Sequence, residues 1–154
     1  MKYEQISKII FAIAPLLGML LATVSPITLA EDTEVEPLAL RTIMQNMGKN
    51  MQSITDGISR EDWKKVAENA PLIADHPQPP LLEKIRILSF IGSDVSKFKG
   101  YDQDTHLTAQ ELEGAAIEQD GEVVIAVFAK LQNHCLSCHQ HFRKSFLEHF
   151  YRLK

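Results

Sequence analysis

The sequence lacks the signals of a β fold. No stretch of useful length alternates apolar and polar residues with period two, and the Asn-Gly hairpin pair does not occur. It also lacks a glycine-rich phosphate loop, a serine elbow and any acid and base paired at a recognisable spacing, so no enzyme is expected. Excess positive charge is missing too: 16 Lys and Arg stand against 20 Asp and Glu, a formal net charge of -4. Such a balance does not suit nucleic acid and does suit a soluble protein that meets partners briefly. Internal repeats and low-complexity stretches are absent. The 154 residues are enough for one domain and short for two. Cysteine is scarce, with only two in the chain, yet the two stand three apart at Cys135 and Cys138.

The N-terminus reads as an export signal. Met1, Lys2 and Lys8 precede an uncharged run from Ile9 to Ala30, interrupted by Pro15 and Pro26, and Thr28-Leu29-Ala30 has small residues at the cleavage spacing. The expected division is a signal peptide at 1 to 30 and one domain at 31 to 154. Retained instead, the run from Ile9 to Ala30 is long enough for a membrane anchor, since roughly 20 residues span a bilayer. Membrane attachment is thus expected only without cleavage, and either way the domain lies outside the cytoplasm, in the periplasm. Loss of residues 1 to 30 removes Lys2, Lys8 and Glu4, leaving 14 basic and 19 acidic residues, formally minus five.

The rest of the chain has helical spacing. Leu40, Met44, Met47, Met51, Ile54 and Ile58 form one apolar stripe within 34 to 58. Ser59 and Asp62 have the capping-box spacing for a second helix reaching about Asp75, with Trp63, Val66, Ala67, Ala70 and Ile73 on its apolar side. His76-Pro77-Gln78-Pro79-Pro80 must be a corner, because prolines lack the amide donor and restrict the residue before them. Leu81 to Phe98 resumes as a shorter helix across the end of the bundle, with Gly92 a candidate break. A helix from Thr105 to Gln119, capped through Thr108 and Glu111, follows Gly100. After the Asp120-Gly121 turn the last helix runs from about Glu122 to Phe150, burying Val124, Val127, Phe128, Leu131, Cys135, Cys138, Phe142 and Phe146. The expected fold is all-α: an antiparallel four-helix bundle with an extra short helix in the second connection.

Cys135-Leu136-Ser137-Cys138-His139 is the attachment sequence for haem c. Thiols three apart on a helical turn can each form a thioether with a haem vinyl group, and the next residue offers an imidazole to the iron. A redox disulfide or half a zinc site would share the Cys pair. The first normally sits in a strand-helix unit, and the second wants another pair of ligands; the sequence offers neither. One covalent haem on the last helix, with His139 on its iron, is therefore expected.

The motif stands 16 residues from the C-terminus, so upstream helices must build the pocket. Together with Gln140-His141-Phe142-Arg143, and with Met44-Gln45-Asn46-Met47-Gly48-Lys49-Asn50-Met51 in the first helix, it resembles the cytochrome c prime family, the class II c-type cytochromes. The likeness covers most of 34 to 150 and is nearest to the low-spin, Met-ligated branch. The Pro-rich corner at 76 to 80 and the added stretch from Leu81 to Phe98 depart from it. It implies a monohaem electron carrier with His139 proximal and Met44 distal, exchanging electrons with redox partner proteins, and a homodimer as a further partnership. It also implies the rival, a five-coordinate iron with Leu40 pressed on the distal face, open to nitric oxide or carbon monoxide.

Spacing alone leaves Met44 as one of several methionines that would equally fill core space. Arg143, one turn beyond His139, would meet a haem propionate or be an ordinary exposed arginine. His76 and His106 read as solvated, His134 and His141 as turned from the haem face, and His149 as lying at the bundle end.

Overall fold

The computed structural model describes residues 37 to 152; the expected signal segment and its cleavage site lie outside the described residues. Every regular element among them is helical. Helix α1 is Ala39–Ser59, α2 Trp63–Asn69, α3 Pro71–Ala74, α4 Leu81–Ile91, α5 Val95–Ile117, α6 Gly121–Cys138 and α7 Lys144–Tyr151. A π-helical stretch, His139–Arg143, joins α6 to α7.

Helices α1, α2, α5 and α6 pack together, with α3 wedged against α5. Their shared core holds Ile54, Val66, Ile73, Leu112, Val124 and Leu131. Gly57 allows α2 to come close to α1, since a Cβ there would stand 2.9 Å from Val66 Cγ2 and 3.2 Å from the Asp62 carbonyl. Gly121 does the same for the Trp63 ring, whose nearest carbons lie 3.1 Å from where its Cβ would be. A second core at the far end gathers Leu38, Ile87, Ile91, Phe142, Phe146 and Phe150.

Several boundaries differ from the sequence expectation. The second helix is split at Pro71, whose missing amide donor ends α2 and starts α3. Its cap is Asp62, which accepts from the Lys65 amide at 3.0 Å, with no box to Ser59. Helix α4 stops at Gly92, whose φ of +61° suits glycine. Gly100, in contrast, interrupts nothing: α5 begins at Val95 and runs straight through it, so Thr108 is a buried mid-helix residue and caps no turn.

The last helix is continuous, but its phase is corrected midway. Phe142, Phe146 and Phe150 are all buried although they follow Cys138 at spacings of four. In an α-helix each such step drifts by roughly 40°, about 120° over the three. The π turn takes up about one extra residue, roughly 100° of helical rotation, and returns the phenylalanines to the inner side.

Candidate haem attachment site

Helix α6 is fixed by its early turns. Asp120 accepts from the Val123 amide at 3.1 Å, and Val124, Val127 and Leu131 lock its inner side into the first core. Cys135 and Cys138 come one and two turns after Leu131 on that side, each half-buried, and they are not bridged to each other. Burial pushes both thiols up, Cys138 to about 11, with the neighbouring Cys135 and the carboxylate of Asp102 adding to the effect. Both are therefore protonated thiols at neutral pH, unlike the activated thiolate of a dithiol redox centre.

His139 opens the π turn and is exposed. Its surroundings hold the imidazole below the ordinary histidine range, chiefly by desolvation and secondarily through the positive charge of Arg143. Among the described residues no hydrogen bond or ion pair engages it. A neutral ring with a lone pair to give is the form that ligates a metal. Arg143 is thus brought within electrostatic reach of His139, and it is exposed.

Leu40 and Cys138 pack against the same second core, alongside Phe98 and Tyr101. Met44 is not drawn into either core and is 38 % exposed, whereas Met47 and Met51 pack against the first. On this part of α1 the fully inward position is Ile43, which the sequence stripe left out.

His76 is not the solvated residue expected from its place in the corner. Its side chain is 10 % exposed, with Nε2 3.0 Å from Asp102 Oδ1 and Nδ1 donating to the Pro77 carbonyl at 3.1 Å. The hydrogen bond to Asp102 raises the imidazole above its ordinary value, and the same bond holds the Asp102 carboxyl down. With Ala74, Asp75, Gln78, Gln103 and His106 these two line an open depression of about 390 Å³. His106 is likewise engaged, 2.8 Å from the Ala74 carbonyl, and His149 lies flat on Phe90 with ring centres 4.2 Å apart.

Asp102 and Tyr101 were missed because residues around Gly100 read as a connection. Read as helix, Phe98, Tyr101, Thr105, Thr108 and Leu112 continue one inner stripe, a signal that locates Tyr101; the exposed Asp102 lies off it.

The donor set fits a covalently held haem: two unbridged thiols one turn apart, an unengaged imidazole next to them, apolar and aromatic neighbours on one side and a guanidinium nearby. It suits zinc poorly, since among the described residues no three His, Cys, Asp or Glu side chains converge. No helix among the described residues is long and apolar enough to cross a membrane. No protein-family profile, curated protein or solved structure matches the chain.

Proposed function

We propose that this chain is an exported, periplasmic monohaem c-type cytochrome of the cytochrome c prime kind, a four-helix bundle that carries electrons between partner proteins. The observation that supports it most is Cys135-Leu136-Ser137-Cys138-His139 at the close of the last long helix, with both thiols half-buried and unbridged and His139 exposed just beyond them.

In this reading Cys135 and Cys138 would hold the ring through two thioethers, each formed by adding S–H across a vinyl group. Haem, when bound, supplies an iron that takes up and gives back one electron. His139 would ligate it as a neutral imidazole. Met44 would be the second protein ligand, and a thioether paired with an imidazole raises the reduction potential. The aromatic second core excludes water on one side, which disfavours the more highly charged state of the centre. Arg143 offsets propionate charge. The phenylalanines pack and do no chemistry.

The second reading has a specific observation in its favour. Leu40 packs on the core that Cys138 borders, while Met44 stays partly in solvent. This supports a five-coordinate iron with Leu40 as distal bulk, binding nitric oxide or carbon monoxide.

Mass spectrometry of protein made in cells with haem-attachment machinery should show one added haem mass; two alkylatable thiols and no added mass would remove both readings. An absorption spectrum then separates them. A low-spin spectrum that Met44→Ala turns high-spin supports the carrier, and a high-spin spectrum that shifts with carbon monoxide supports the gas binder.

A further inference from the structure

The Pro-rich corner carries a proton site that the electron-carrier reading does not use. His76 is nearly enclosed at 10 % exposure, and both of its ring nitrogens are committed. Nδ1 donates to the Pro77 carbonyl at 3.1 Å, so a neutral ring would turn a bare Nε2 lone pair toward Asp102 Oδ1 at 3.0 Å. Two acceptors facing one another repel, whereas a proton on Nε2 makes the contact a charge-assisted hydrogen bond. With that proton the pair is neutral overall; without it the pair carries the single negative charge of Asp102. Asp102 is 53 % exposed and lines the open depression of about 390 Å³, which lets water exchange the proton.

Other groups face the pair. Asp75, beside His76 in the chain, adds a negative charge, and Lys84, reaching from α4 to Gln78 Oε1 at 3.3 Å, adds a positive one. His106 lines the same depression, 2.8 Å from the Ala74 carbonyl and 4.0 Å from Asp75. The pair is also close to the attachment site. Tyr101, which precedes Asp102 on α5, packs with Cys138 against the second core, and the field of the Asp102 carboxylate reaches the Cys138 sulfur. A haem ring bonded at that sulfur would share this field, which His76 neutralises only while it holds its proton.

We propose that His76 is a proton-binding site linked to haem reduction: when a partner protein gives the iron one electron, Nε2 takes up part of a proton from solvent, and reoxidation releases it. The sign follows from charge. Positive charge nearby stabilises an added electron, so the reduction potential falls as pH rises through the loss of the His76 proton. By linkage, the reduced protein holds that proton more tightly. With Asp102 open to water on one side, one unit of charge should change the redox equilibrium by about threefold, or about 28 mV at about 59 mV per tenfold for one electron. The inference rests on haem attachment at Cys138 and holds for either sixth-position reading.

The test takes the haem-bearing protein through redox titrations between pH 5.5 and 9, with NMR titration of the histidine rings in both oxidation states. The unaltered protein should lose about 28 mV in one step, and the His76 midpoint should lie about half a pH unit higher when reduced. His76→Gln should match the unaltered protein at pH 9 and fall below it by about the same 28 mV at pH 5.5. Asp102→Asn should raise the potential and move the step down toward the ordinary histidine range. His106→Gln should leave the step in place. A His76 midpoint that is equal in the two oxidation states overturns the proposal; that signal is assigned through Asp75 and Pro77, so this arm needs no variant. A step of unchanged size in His76→Gln overturns it as well. Both results leave haem attachment standing, whereas a protein that gains no haem mass removes that reading and this proposal together.

Discussion

The contact between His76 and Asp102 makes the Pro-rich corner pH-sensitive, in a direction that can be worked out. His76 is 10 % exposed and Asp102 53 %, so the pair is sheltered from one side only. A hydrogen bond with charge on both partners stabilises by about 1.5–3 kcal/mol when shielded, and the open side of Asp102 reduces this to about 1–1.5 kcal/mol. His76 holds its proton more tightly folded than unfolded. Its share is therefore complete below the ordinary value of 6.5 and fades as pH rises through the raised one. Asp102 contributes above its ordinary value of 3.8 and loses that share as pH falls through the lowered one. Asp102→Asn should thus cost about 1–1.5 kcal/mol at pH 5.5, roughly 4 °C in melting temperature, and well under half of that at pH 9. Urea titrations of both proteins at the two pH values measure it. A loss that is equal at both values, or larger at pH 9, would refute the assignment of a charged His76 to this contact.

Other changes test other parts of the structure. Glu83→Gln should destabilise by about 1–2 kcal/mol, because a neutral amide replaces the carboxylate accepting from two amides at the start of α1; chemical denaturation measures it. Gly57→Ala should destabilise by about 1–2 kcal/mol despite a gain of about 1 kcal/mol in helix propensity, because its Cβ meets the fully buried Val66, and adding Val66→Ala should relieve part of the strain. Phe146→Ala should cost about 3–5 kcal/mol, since the ring is buried against Phe90 and Phe150 at centre distances of 5.4 and 5.3 Å. On the proposed function, Cys135→Ser with Cys138→Ser should abolish haem attachment, read as loss of pigment from the denatured protein on a gel.

The helices themselves were legible, since their apolar spacings depend on the chain alone. Leu131, Val124 and Val66 stand in the core where the stripes put them. Boundaries were less so. Pro71 splits what the spacing predicts as one helix, and α5 starts at Val95 where the spacing predicts a start only at Thr105. The run from Cys135 to His139 is read directly from the chain because it is local. What surrounds it is not. The Glu83 cap on α1 spans more than forty residues, the grip of Asp102 on His76 joins a corner to a helix not expected to reach that far, and the inward turn of Ile43 depends on how α1 meets its neighbours. Such pairings depend on tertiary placement, which leaves no pattern along the chain.

The widened turn at His139–Arg143 makes the last helix two segments with independent rotational settings. Deleting Gln140 would restore ordinary winding and unscrew everything beyond it by about a quarter turn. The thiol-bearing segment would keep its seat, while Phe146 and Phe150 would swing out from under α4 and Leu38. Selection can therefore adjust one end of the molecule, its grip on α4, without disturbing the setting of Cys135 and Cys138. A chain that lost this joint would have to relearn the packing of its final turns.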